Sequence, residues 1–194
     1  MYAISNMSPT KTDEIFRIKV TLQETTPPVW RRLLVPAAMT LAKFHEVLQN
    51  AMGWTNSHLH CFEAWSGRYG MIGIEEDADD LKDERRAKLS FVLPNESARL
   101  TYRYDYGDSW KHLVELEEIL DRNPQWRYPL CIGGRRACPP EDCGGTSGYE
   151  ELCRVLRSPT DEEHDSILTW LGGYFDPAGF DANAVNRAFR FGRR

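Results

Sequence analysis

The chain has 194 residues, 41% of them hydrophobic and 27% charged, which fits a soluble globular protein of one domain with or without an extension. Its 24 Lys and Arg against 29 Asp and Glu leave a formal charge of −5, disfavouring nonspecific nucleic-acid or anionic-membrane binding. No apolar run is long enough to span a bilayer, and the opening MYAISNMSPTKTDE lacks the basic-then-apolar order of a signal peptide. The expectation is therefore a cytoplasmic protein whose five cysteines, an odd number, stay reduced rather than paired.

Residues 1–14 are polar and read as a disordered tail. In IFRIKVTLQ (15–23) Phe16, Ile18, Val20 and Leu22 alternate onto one face of a strand. TTPP (25–28) turns the chain, and VWRRLLV (29–35) returns as the second strand of a hairpin. A helix follows: Thr40 is its N-cap, Leu41, Phe44, Leu48 and Met52 form its apolar stripe, and Gly53 closes it. HLHCFEAW (58–65) reads as a strand, and residues 74–88, charged throughout, as an exposed excursion.

RLTYRYDYGDSWKHLVELEEI (99–119) is a second hairpin. Leu100, Tyr102, Tyr104 and Tyr106 share one face, as do Trp110, His112, Val114 and Leu116. The two sets coincide only across a loop with an odd number of residues. A three-residue loop, Gly107-Asp108-Ser109, pairs Tyr106 with Trp110, Tyr104 with His112 and Arg99 with Glu117. The order hairpin, helix, strand, hairpin predicts an α+β fold, a β-grasp-like mixed sheet crossed by one helix, over residues 15–122.

After Asn123-Pro124 the periodicity disappears. Residues 123–194 read as an irregular Pro/Gly/Cys strap, 128–148, followed by helices that pack on the core within one domain. Capping boxes at Ser147/Glu150 and Thr160/Glu163 open two helices, and Asp181 caps a third.

The motifs WRRLLVP, MGW, HLHCF, YDYGDSWKH, CPPEDCGGTSGYEEL and FDPAGFD follow one another in this order. Together they resemble the plasmid pRiA4b ORF-3-like family over residues 15–190. The resemblance implies small cytoplasmic proteins found on plasmids and near mobile elements, without an established biochemical role. Some relatives carry a resolvase-like label. This chain shows no serine-recombinase pattern to support that chemistry.

Two ligand sets are legible. His58 and His60, read as a pair on one strand face, could join His112, Asp105 and Asp108 around zinc, iron or manganese. Simpler roles compete: His112 as a core histidine bonded to Tyr104, Asp105 facing away from it, Asp108 as a turn former. Cys131, Cys138 and Cys143 could hold zinc with a fourth ligand from His112, Cys153 or His164, but their spacing lacks close C-x-x-C pairs. CPPEDCGG reads better as a stiff strap, with φ fixed by two prolines and Glu141 and Asp142 accepting bonds from unpaired backbone N–H groups.

No nucleophile elbow, P-loop or dinucleotide fingerprint is present. The leading reading is a non-enzymatic binding module for a protein or small-molecule partner. Its surface is formed by Tyr104, Tyr106, Trp110, His58 and His60 facing Glu141 and Asp142. The alternatives are a metal-dependent, hydrolase-like enzyme built on the His/Asp set and, more remotely, a nucleic-acid accessory protein.

Overall fold

Alternating residues build the first hairpin: strand β1 (Glu14–Leu22) buries Phe16, Ile18, Val20 and Leu22, and pairs antiparallel with β2 (Val29–Pro36). The computed structural model describes residues 13–73 and 80–191; positions 1–12 of the expected tail and 74–79 of the charged excursion lie outside them. Helix α1 (Leu41–Met52) starts at Thr40, whose hydroxyl accepts from the Lys43 N–H, and ends at Gly53 in the left-handed region. Its stripe of Leu41, Phe44, Leu48 and Met52 is buried in the common core.

Three further elements follow, β3 (His60–Ala64), β4 (Gly67–Gly70) and β5 (Leu81–Asp83), then one turn of helix α2 (Leu89–Val92). The second hairpin is β6 (Arg99–Tyr104) and β7 (Trp110–Asp121), and β8 (Leu130–Arg135) follows it. All eight strands form one sheet in the order β5-β4-β3-β6-β7-β1-β2-β8. Three helices complete the described chain: α3 (Gly145–Leu156), α4 (His164–Trp170) and α5 (Ala182–Phe191).

The architecture is α+β with a mixed sheet; its parallel pairing is β4 with β5. The sheet is wider than a hairpin–strand–hairpin plan provides, because β4, β5 and β8 add to its edges. β1 lies between β2 and β7, antiparallel to both. One sheet face carries the apolar core. The other carries ion pairs, including the bidentate Arg32–Glu117 contact at 2.7 and 2.8 Å.

The second hairpin differs from the expected register by two residues. Tyr104 faces Trp110, Tyr102 faces His112, and Arg99 faces Glu115, which it bonds at 2.8 Å. The loop, residues 105–109, is odd as parity requires, but longer. Asp105 ends the strand because it adopts φ +58° and its Oδ1 accepts from the Gly107 N–H at 2.9 Å. Tyr106 therefore leaves the inner face and is exposed.

The segment expected to be irregular contains β8, whose Gly133 and Gly134 pair with Arg32 and Arg31 at the sheet edge. A Cβ on Gly134 would fall 2.5 Å from the Phe180 ring, so the edge is fitted closely by the C-terminal region. Helix α3 begins at Gly145 behind Gly144, not at a Ser147 cap, and α4 begins at His164 rather than at Thr160. Asp181 does cap α5: its Oδ1 accepts from the Asn183 N–H at 2.8 Å.

Two glycines separate backbone strain from collision. Gly145 has φ +67° and its Cβ would lie 2.7 Å from the Asp108 carbonyl oxygen, whereas Gly53, at φ +88°, faces open space. In urea denaturation, G145A is expected to cost about 3 kcal/mol or more and G53A only about 1 kcal/mol.

Candidate functional site

The strap and the sheet meet around the carboxylate of Glu141. Its Oε2 accepts from the Thr55 N–H at 2.9 Å and from the Thr55 hydroxyl, and its Oε1 accepts from the Tyr104 hydroxyl at 2.5 Å. Burial and the neighbouring Glu141 carboxylate push the Tyr104 phenol up, so it remains a donor. The indole Nε1 of Trp54 donates to the Pro139 carbonyl at 2.9 Å. The strap is therefore held by the segment that links α1 to β3.

These bonds set Asp142 beside His58 and Asp105. The Nε2 of His58 lies 3.2 Å from Asp142 Oδ1 and 3.6 Å from Asp105 Oδ2. It is itself inaccessible and completes no hydrogen bond. The ligand atoms of the three residues lie within 4.8 Å of one another. Asp105 is buried, His58 half-buried and Asp142 exposed, so the cluster opens to solvent on one side. Asp142 adopts φ +60°, a conformation that Asp tolerates better than most residues.

The other proposed ligands take different partners. His58 precedes β3 rather than lying on it, so strand alternation does not align it with His60. The Nε2 of His60 pairs with Glu84 Oε2 at 2.7 Å, and its ring stacks on His45 with centroids 3.5 Å apart. His112 is wholly buried, with Nδ1 donating to the Tyr102 carbonyl at 3.2 Å rather than bonding Tyr104. Asp108 stays in the hairpin loop, apart from the triad.

Cys131, Cys138 and Cys143 enter no metal-competent group among the described residues. Burial pushes all three thiols up, Cys143 to about 12, so they are neutral rather than nucleophilic. Cys61, also pushed up by burial, is equally inert.

The surface expected for a partner needs correction. Tyr104, Trp110 and His60 are 0–4% exposed. They belong to the core because the strap and α1 cover the inner sheet face. Of that set, Tyr106, Glu141, Asp142 and one edge of His58 remain accessible.

Sequence reasoning missed a buried polar network. His45 Nε2 bonds Asn56 Oδ1 at 2.7 Å, its Nδ1 bonds the Tyr102 hydroxyl at 2.8 Å, and Gln49 Nε2 donates to the same hydroxyl at 3.0 Å. The available sign was spacing: His45 and Gln49 stand four and eight residues after Leu41, on the buried side of α1. Glu84 gave no comparable sign, because it lies in a run of charged residues.

A mixed eight-stranded sheet, one helix across it and a Pro/Gly strap clamped beside a His/Asp cluster define the class of protein. The chain belongs to the plasmid pRiA4b ORF-3-like protein family, whose model matches residues 14–184. It is 38% identical over 176 residues to the uncharacterized protein y4hQ of Sinorhizobium fredii (strain NBRC 101917 / NGR234), covering 90% of each chain. It is also similar to the crystal structure of MM3350, a protein of unknown function from Methanosarcina mazei Go1. That match has a TM-score of 0.82 and 38% identity, over 91% of this chain and 98% of the other.

The buried histidines make stability pH-dependent. Desolvation lowers His45 to about 3 and His112 to about 4, from an ordinary value of 6.5. Between the ordinary and the lowered values the unfolded chain binds protons that the folded chain refuses, so stability rises with pH. From pH 7 to pH 5 the unfolding free energy should fall by about 2 kcal/mol per histidine. H112Q should remove about half of that loss when urea denaturation is repeated at each pH.

Proposed function

We propose that the protein is a non-catalytic binding module whose docking face is set by a divalent cation held by His58, Asp105 and Asp142. The observation that carries this reading is the inaccessible, unbonded His58 Nε2, 3.2 and 3.6 Å from two carboxylate oxygens. Those separations match ligand-to-ligand edges of about 3.3–3.6 Å around an ion with metal–ligand bonds of about 2.0–2.2 Å. One imidazole with two carboxylates is a mixed donor set that suits zinc or manganese.

The cation would join three segments: the turn before β3, the end of β6 and the strap. It would also offset the repulsion between Asp105 and Asp142. Its coordination positions towards solvent accept an oxygen donor from the partner, and Tyr106 stands one residue from Asp105 as an exposed aromatic contact. The hydrolase-like alternative draws on His60 and His112, which are engaged by Glu84 and by the Tyr102 carbonyl. Binding is the reading supported by the cluster that does form.

Tag-free protein stripped with chelator and titrated with Zn²⁺ or Mn²⁺ should take up about one equivalent, as measured by elemental analysis and competition titration. D142N and H58Q should each weaken uptake at least tenfold, and the ion should slow proteolysis within residues 136–145. A wild-type protein that takes up neither ion would overturn the assignment. Unchanged affinity in D142N would equally overturn the assignment.

A further inference from the structure

A second cavity, of about 920 Å³, lies between the β1–β2 turn, α3, α4 and the segment after α4. Tyr149, Cys153 and Arg157, spaced four residues apart along α3, line one side of it. Arg136, the residue after β8, also lines it, with its backbone at φ +69°.

Two donors in this cavity are left over. Tyr149 is 5% exposed; its hydroxyl lies beside Arg136 and Cys153 but completes no well-formed hydrogen bond, and nor does the buried Nε of Arg136. Burial holds the Tyr149 phenol well above its ordinary value, so it keeps its proton. A buried donor without a partner costs about 1–3 kcal/mol, which a ligand acceptor would recover. Guanidinium N–H and phenol O–H together suit a carboxylate. Leu156, Leu168 and Phe175 supply apolar wall, and Glu24, Glu150 and Asp176 also line the space. Arg157 and His164 line it as well, so the charges are mixed, which suits a ligand with a single charge better than a polyanion.

We propose that this cavity binds a small organic monocarboxylate, with its charged end on Arg136 and Tyr149 and its apolar body against Leu156, Leu168 and Phe175. The volume falls within the range of small-molecule sites, about 300–1,000 Å³. The site shares no residue with the His58 cluster and stands independently of the cation reading.

The test titrates wild-type protein with phenylacetate, indole-3-acetate and 4-methylpentanoate, followed by calorimetry and by ring-proton NMR. At least one acid should bind saturably. Its uncharged amide should bind at least tenfold more weakly to the same wild-type protein. R136M and Y149F, checked for native circular dichroism, should each lose at least tenfold in affinity. Failure of all three acids to saturate would overturn the proposal, as would equal affinity for acid and amide. Inorganic phosphate binding as tightly as the best acid would overturn the monocarboxylate assignment. Unchanged affinity in both variants would place the ligand elsewhere.

Discussion

The position of the strap depends on a single carboxylate. Glu141 receives the Thr55 N–H, the Thr55 hydroxyl and the Tyr104 hydroxyl, so three donors from two segments converge on one side chain. Hydrogen bonds to a charged acceptor are stronger than neutral ones, and the site is only partly wet. Tyr104 in turn accepts the Ser57 N–H at 3.1 Å and packs its ring on Trp54 with centroids 4.9 Å apart. The clamp thus ties the strap to the Trp54–His58 segment and to β6 together. Asp142, the next residue, inherits its place beside His58 from that clamp.

A second constraint joins the helix layer to the sheet. Arg31 is 3% exposed, yet its guanidinium donates to the Ala51 carbonyl at 2.9 Å, to Trp30 at 2.9 Å and to Arg135 at 3.1 Å. It also lies over the Phe180 ring at 4.6 Å. Burial of a charge is costly unless its hydrogens are satisfied. Here carbonyls at the end of α1 and on β8 supply the acceptors, and an aromatic face covers the cation. Removing the arginine would leave those acceptors unpaired and loosen the C-terminal segment from the sheet edge.

Much of the framework was legible because it rests on periodicity. The alternation in β1, the stripe and caps of α1, and the parity of the second hairpin all follow from residue spacing. The hairpin register did not, because Asp105 turns the chain with its own side chain and the pattern of tyrosines continues past the true strand end. β8 was hidden because an edge strand containing Gly133 and Gly134 pairs on one side and has no apolar alternation. In the site, Glu141 was recognisable as an acceptor for a backbone N–H, although its partner 86 positions away was not. The approach of His58, Asp105 and Asp142 depends on three loops, whose meeting is set by tertiary packing rather than by local pattern. The His45–Glu84 network was missed for a related reason: a polar residue on an apolar helix face makes sense only once its partner is known.

Several buried histidines, tyrosines and thiols are held neutral. Burial lowers His45 and His112 and raises Tyr102, Tyr104, Cys131 and Cys138, each in the direction that removes charge. Arg31 keeps its charge in the core, with Nε and Nη1 donating to backbone carbonyls. Among the described residues with unspent polar capacity are His58 beside its two aspartates and Arg136 beside Tyr149. Arg136 and Asp142 stand six positions apart on one strap, fixed between them by Trp54, Thr55 and Tyr104. Such a layout provides fixed donors and ligands on a stiff support. That division, a core whose histidines and thiols stay neutral beneath coordinating groups on a stiff rim, is the physical basis of the proposed binding role.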